Sequence, residues 1–137
     1  MIYFFLEFFR YIDVNGPTIS PGPDLPNAVS DHCVVNSDEW MKAFIIGGNI
    51  GGFAGPNVVD STHIFCFDDQ TWHQGPSLMH GRHKHSCGIL KDGNDYILVT
   101  AGGIGSTGYW LASVELYNLL DGGAWYAGPD LTAPRYD

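Results

Sequence analysis

The hydrophobic positions of this chain fall into short runs that are repeatedly interrupted by glycine, proline, asparagine and aspartate. Apolar or alternating runs of about four to eight residues between turn formers are typical of β-strands, whereas helices need longer stretches. The pattern predicts strands at 31–35, 41–46, 61–67, 71–74, 85–90, 96–101, 112–117 and 124–126, with one or two more within residues 2–14. We therefore expect an all-β fold.

A tetrad of glycine, proline, a polar residue and leucine occurs three times at one spacing. The copies begin at Gly22, Gly75 and Gly128, so each lies 53 residues after the one before. Two further pairs keep this interval, namely Trp72 with Trp125 and Arg82 with Arg135. Self-similarity at a fixed period indicates a repeat architecture, in which each unit covers the hydrophobic face of its neighbour.

A second repeated feature is a glycine pair at the end of an apolar run. Gly47-Gly48 and Gly102-Gly103 lie 55 residues apart, two more than the period of the tetrads. We place the two extra residues in a hairpin at 91–95, where Asp92-Gly93 is a tight-turn signal and insertions cost little.

Taken together, these residues resemble the kelch repeat. The matching positions are the glycine pairs Gly47, Gly48, Gly102 and Gly103, the aromatic residues Phe65 and Tyr117, the tryptophans Trp72 and Trp125, and Arg82 followed by His85. The resemblance implies a partial β-propeller of four-stranded antiparallel kelch blades, with about two complete blades and no closed ring.

The implied boundaries follow the tetrads. Residues 1–21 are the end of a truncated or degenerate upstream repeat, 22–74 and 75–127 are blades, and 128–137 begin a further repeat. The first copy departs from the pattern, with Val29 in place of arginine and Ile19 in place of tryptophan. Two blades leave their outer faces uncovered, so we expect self-association through these faces.

Composition narrows the choice of partners and compartment. Fifteen acidic against six basic residues give a net charge of -9, which argues against nucleic acid or an anionic membrane as a partner. A neutral or basic protein is a more natural partner. Three cysteines without metal-type spacing imply no disulfide framework, which favours a reducing, cytoplasmic setting.

Two local motifs suggest chemistry. His83, His85 and Cys87 share one face of an extended strand and resemble a zinc or copper site, although His85 is also a repeat position matched by His32. Gly103-Ile-Gly-Ser-Thr-Gly108 matches a dinucleotide-binding motif in letters, but residues 112–117 alternate as a strand where that motif needs a helix. We therefore assign no cofactor.

The candidate partner-binding residues are Arg82, Arg135, Phe53, Tyr109 and Trp110. Arginine can bind a carboxylate with two hydrogen bonds, and an equally good interpretation is that each arginine binds backbone carbonyls of the next blade. Phe53, Tyr109 and Trp110 lie in the glycine-containing loops 49–60 and 104–111, which are contact loops by position.

The sequence thus predicts a non-enzymatic module that binds another protein through its inter-strand loops. Two alternatives remain open. One is a fragment of a propeller-type copper oxidase or other metalloenzyme. The other is an incomplete gene product without independent function.

Overall fold

The computed structural model describes residues 2–5, 8–12, 19–51 and 57–136. In these ranges the chain forms thirteen strands and no helix, which confirms the predicted all-β fold. No helix of this part is long and apolar enough to cross a membrane. The strands are β1 (Ile2–Phe5), β2 (Phe8–Ile12), β3 (Ile19–Pro21), β4 (Cys33–Ser37), β5 (Lys42–Ile46), β6 (Thr62–Cys66), β7 (Thr71–Gln74), β8 (Arg82–His83), β9 (Ser86–Asp92), β10 (Asp95–Ala101), β11 (Ile104–Gly105), β12 (Val114–Asn118) and β13 (Tyr126–Ala127).

The first twenty-one residues contribute a separate antiparallel sheet of three strands in the order β1-β2-β3. Residues 2–14, where one or two strands are predicted, supply β1 and β2. The third strand, β3, comes from a stretch for which the sequence predicts no strand.

The first unit (residues 22–74) contains an antiparallel sheet in the order β4-β5-β6-β7. Residues paired across a sheet share a face, so Val35, Phe44 and Ile64 form one row. Ala43 pairs with Phe65 in the next row, which lies on the opposite face. Because β5 is covered on both faces, its residues after Lys42 are all apolar, and these four are fully buried.

The second unit (residues 75–127) repeats this arrangement in the order β9-β10-β12-β13. Its first hairpin occupies 86–101, two residues more than the equivalent hairpin at 33–46. The strands β9 and β10 are longer and meet at a two-residue turn, Gly93-Asn94. The surplus therefore lies in the hairpin where the sequence places it.

Individual backbone hydrogen bonds repeat between the two units as well. Four of them, each 2.8 Å long, form two equivalent sets: Gly75 N to Thr62 O with Gly128 N to Val114 O, and Leu78 N to Asp60 O with Leu131 N to Ala112 O. The indole Nε1 of Trp72 donates to Pro23 O, and that of Trp125 donates to Pro76 O. Each tryptophan thus bonds to the proline of its own unit's tetrad, 49 residues earlier.

The main hydrophobic core lies between the two four-stranded sheets. Its buried members are Val35, Phe44 and Ile46 from the first sheet, Leu98, Tyr117 and Trp125 from the second unit, and Leu78 from the connection between the sheets. A smaller cluster of Ala43 and Phe65, with Phe67 and Trp72 packed against it, lies on the other face of the first sheet. The two sheets therefore cover each other through one face apiece.

A disulfide joins the two sheets. Cys33 of β4 and Cys87 of β9 are bonded, with their Cα atoms 6.0 Å apart, so the expectation of no disulfide is wrong. The two cysteines come together because the first strands of the two sheets pack side by side. The spacing of cysteines along the sequence does not reveal this packing. Disulfides persist mainly in oxidising compartments. The cysteine-based argument for a cytoplasmic setting therefore no longer holds.

Candidate binding cleft beside the second sheet

The glycine pairs form close corners at the ends of β5 and β10. Gly48 and Gly103 have φ values of 114° and 92°, in the region that side chains disfavour. A Cβ on Gly103 would lie 2.7 Å from His83 O, and the space at Gly48 is equally restricted. Gly48 N donates to Arg82 O and Gly103 N donates to Arg135 O, both over 2.8 Å. Each corner thus fixes the segment that follows the next tetrad.

Arg82 lies in a buried network within the second unit, and its side chain has no exposed surface. Its guanidinium donates to Gly102 O, to Ser113 O and Oγ, and to Glu115 Oε1 over 2.6 Å. The carboxylate of Glu115 also accepts the backbone N–H groups of Met79 and His80. All these contacts are internal, and charge-assisted bonds of this kind are the strong class.

The placement of Arg82 corrects one partner-binding prediction. A fully buried guanidinium cannot contact another protein, and Arg82 binds backbone carbonyls and Glu115 instead. These carbonyls belong to its own unit, whereas the alternative interpretation of the sequence expects carbonyls of the next blade. Arg135, at the equivalent position 53 residues later, is exposed. The two arginines therefore occupy equivalent backbone positions in different surroundings.

Arg135 borders a cleft of about 410 Å³. The cleft is lined by Lys84, His85 and Ser86, by Ala101 and Gly103 at the end of β10, and by Leu131, Arg135 and Tyr136. Two of these residues are cationic and none is acidic, although the whole chain has a net charge of -9. The cleft is thus a local basic site on an acidic protein, and a carboxylate is the kind of group it suits.

Exposed aromatic side chains stand next to this cleft. Tyr109 and Trp110 are 76% and 57% exposed. The Trp110 ring contacts that of Tyr136, a cleft residue, with centroids 4.8 Å apart. The loop that carries them is fixed, because Trp110 forms a β-bridge with Ile104, and Tyr109 O accepts from Gly105 N. We call Tyr109, Trp110 and Tyr136 the aromatic cluster.

Of the five candidate partner-binding residues, the structure brings three to one region, namely Arg135, Tyr109 and Trp110. Arg82 is buried elsewhere, as described above. Phe53 lies outside the described residues. Lys84 and Tyr136 belong to the cleft but are not predicted by the sequence, because each is a single residue without a motif. Lys84 is the repeat equivalent of Asp31, and both residues have positive φ values.

The histidines beside the cleft do not form the metal site that the metalloenzyme alternative would need. Cys87 is in the disulfide, so His83, His85 and Cys87 cannot ligate together. His83 Nδ1 lies 3.5 Å from the Asp31 carboxylate. Burial lowers the pKa of His85 to about 3, helped by the positive charge of Arg82 and by His32 and His83. In the described part of the chain, the group of three potential metal ligands whose donor atoms all lie within 4.8 Å of one another consists of Cys66, Asp69 and His73.

No protein-family model and no curated protein matches the chain. Among solved structures, it is similar to one described as "Structure of YjhT", with a TM-score of 0.72 and 19% sequence identity. The likeness covers 94% of this chain and 40% of that one, so the chain spans less than half the length of the structure it matches. At this level of identity the match concerns the fold alone.

Proposed function

We propose that the two four-stranded sheets are neighbouring blades of a kelch-type β-propeller, and that the chain is a non-enzymatic module that binds another protein. The repeat of strand order and of single hydrogen bonds at one period supports the blade assignment. The glycine corners and the tryptophan-to-proline bonds support it too, since they fall on the residues that carry the kelch resemblance. In this account the backbone carbonyl of Arg82, which accepts from Gly48 N, joins one blade to the next.

The second sheet has an uncovered face that fits this proposal. Register places Val99 beside Leu116, and Ile97 beside Leu90, on the side away from the first sheet. Their equivalents in the first unit include Phe44 and Ile64, which pack against the second sheet. Leu90 and Tyr126 on this outer face are exposed. We propose that a further sheet of the same design covers it. We define the outer face by Leu90, Ile97, Val99, Leu116 and Tyr126.

The observation that carries the binding proposal is the aromatic cluster next to a basic cleft. Tyrosine, tryptophan and arginine are the residues most enriched where protein interfaces concentrate their binding energy. The ordered loop around Trp110 lowers the entropic cost of binding, because little must be fixed on association. The cleft offers no carboxylate to pair with a base, and His85 is held neutral by its lowered pKa of about 3.

The chemistry of this surface specifies the partner. An aspartate or glutamate side chain can enter the cleft between Lys84 and Arg135, while an apolar or aromatic neighbour packs on Trp110. The net charge of the chain favours a partner that is otherwise neutral or basic. The partner therefore presents an acidic residue within a segment of low negative charge.

Selection from a random displayed-peptide library against the immobilised chain tests this proposal. The expected peptides contain an acidic residue beside an aromatic or aliphatic one. Fluorescence anisotropy then gives the dissociation constant of a selected synthetic peptide. Trp110→Ala should weaken binding by about 30-fold, the size typical of an interface hot spot, and Arg135→Glu should weaken it further.

The first unit supplies a matched control. Val58 forms the same β-bridge with Asn49 that Trp110 forms with Ile104, so Val58→Ala removes side chain at the equivalent loop position. This variant should bind the peptide as the unchanged chain does. If neither Trp110→Ala nor Arg135→Glu changes the dissociation constant of the selected peptides, the peptides bind elsewhere and the proposal is refuted.

A further inference from the structure

Three metal-ligating side chains of different chemistry converge at the turn between β6 and β7. The ligand atoms of Cys66, Asp69 and His73 all lie within 4.8 Å of one another. This turn is in the first unit and belongs to neither the cleft nor the aromatic cluster. Cys66 is the free thiol of the chain, because the other two cysteines form the disulfide.

The strand register explains why the thiol and the imidazole meet. Cys66 pairs with Thr71, and Ile64 pairs with His73. Paired residues and residues two apart share a face, so Cys66 and His73 are diagonal neighbours on the same side of the hairpin. The four-residue turn carries Asp69 back over this face, and Gln70 adopts a φ of 57° to close it.

The two carboxylate oxygens of Asp69 have different surroundings. Oδ1 accepts the backbone N–H and the hydroxyl of Thr71, at 3.1 and 2.7 Å. Oδ2 faces Nε2 of His73 at 3.7 Å. Hydrogen bonds to one oxygen orient a carboxylate so that the other can ligate a metal. Thr71 therefore holds Asp69 in the position that a ligand needs.

We propose that Cys66, Asp69 and His73 bind a zinc ion, with water as the fourth ligand. A thiolate with an imidazole and a carboxylate is a donor set that zinc accepts and that calcium and magnesium, which need oxygen, do not. Zinc bonds of about 2.0–2.3 Å place the ligand atoms about 3–4 Å apart. The ligand atoms of the three side chains must therefore move about 1 Å closer to one another when zinc binds. Asp69 and His73 are more than half exposed. The Nε2 atom of His73 lies 2.8 Å from the Thr71 hydroxyl and must exchange this hydrogen bond for the metal. Binding replaces the thiol proton of Cys66, which leaves to solvent.

The second unit keeps an aspartate, Asp121, at the equivalent turn but lacks the thiol and the imidazole. Asn118 replaces Cys66, and Tyr126 replaces His73, as the registers of the two sheets show. The donor set is therefore specific to one turn and is not part of the repeated design. This difference provides a control within the same molecule.

Cobalt(II) is the probe, because a thiolate ligand gives it a charge-transfer absorption band that oxygen and nitrogen ligands do not. Titration of the full, disulfide-bonded chain should produce this band at one cobalt per chain, and zinc should displace it. Cys66→Ser should abolish the band. Asp69→Asn and His73→Gln should each weaken metal binding at least about tenfold, and Thr71→Val, which removes the orienting hydroxyl, about tenfold.

The control is Asp121→Asn in the equivalent turn of the second unit, which should leave cobalt and zinc binding unchanged. The substituted ligands lie at one end of the hairpin formed by β6 and β7 and outside the main core, and circular dichroism of each variant checks the fold. The proposal is overturned if no thiolate band forms, or if the band survives Asp69→Asn and His73→Gln. The latter result means that a single thiol binds cobalt without a built site.

Discussion

The two units share a backbone but differ at one buried pair of positions. In the second unit Arg82 and Glu115 form an ion pair over 2.6 Å with almost no exposed surface. The equivalent positions for the first unit are Val29 and His63, which are also buried. The glycine corners and the tetrad hydrogen bonds are the same in both. Backbone hydrogen bonds therefore define the repeat, whereas the ion pair lies within the second unit and is replaced in the first by Val29 and His63.

The largest effect is expected from breaking the ion pair. Arg82→Met leaves the buried Glu115 carboxylate without its cation, and should lower the free energy of unfolding by up to about 5 kcal/mol. Val29→Ala, at the equivalent position, should cost much less because it removes no charge. Urea denaturation of both variants gives the comparison. Adding Glu115→Leu to Arg82→Met should restore part of the loss, and equal costs for the two single variants would contradict a special role for Arg82.

The disulfide between Cys33 and Cys87 links the two units covalently. In the chain-entropy model, a bond that closes a loop of this length contributes about 4 kcal/mol. Cys33→Ser combined with Cys87→Ser should therefore destabilise the chain by roughly that amount in urea denaturation. Cys66→Ser removes a thiol but no bond, and should change stability by less than about 1 kcal/mol. A double variant as stable as the Cys66→Ser control would show that the bond adds nothing.

The two tryptophans test whether equivalent positions of the two units contribute equally to the free energy of unfolding. Trp125 is buried in the core between the sheets, and Trp72 is only half-buried in the smaller cluster. Trp125→Ala should cost about 3 kcal/mol or more, and Trp72→Ala should cost less, as measured by thermal or urea unfolding. The reverse order would mean that the core does not lie between the two sheets.

These comparisons also show what the sequence can reveal. The strands, the glycine corners and the place of the two-residue insertion produce local signals, namely apolar runs, Gly-Gly pairs and Asp92-Gly93. The partner of Arg82 is 33 residues away, and Cys33 and Cys87 are 54 apart. Both contacts depend on how distant segments pack together, so no local sequence pattern predicts them. The sequence does not predict the short pairing of β8 with β11 either, because two-residue strands show no periodicity.

The same limit applies to the candidate site. Tyr109 and Trp110 stand out as exposed-looking aromatic residues in a loop, and Arg135 stands out through the repeat. Lys84 and Tyr136 join them only because the segment after Gly128 folds back along the end of β10. The sequence predicts only a plain hairpin for the segment that contains Cys66, Asp69 and His73, because these donors are spaced unlike common zinc motifs.

The smallest expected effect is a dependence of stability on pH. The folded chain holds His85 neutral, with a pKa of about 3, while the unfolded chain protonates it near 6.5. Protons then favour unfolding, so stability is complete above pH 6.5 and falls as the pH drops toward 3. Between pH 6.5 and 5 the loss from this group should be about 2 kcal/mol. His85→Gln should flatten the curve measured by urea denaturation.

His32 occupies the equivalent position in the first unit, and burial also lowers its pKa. His32→Gln should therefore change the pH dependence in the same direction. A steeper curve in either variant would reverse the sign of the proposed linkage.

We infer that the sheets are stacked units and that the outer face of the second sheet is a stacking surface. Light scattering coupled to size exclusion tests it directly on the 15.0 kDa chain. The molecular mass measured by light scattering should rise above that of the monomer as the protein concentration increases. Replacing the exposed Leu90 and Tyr126 with glutamate should return the chain to a monomer, while glutamate at the exposed Met79, outside this face, should not. A folded chain that remains a monomer at every concentration would contradict the account.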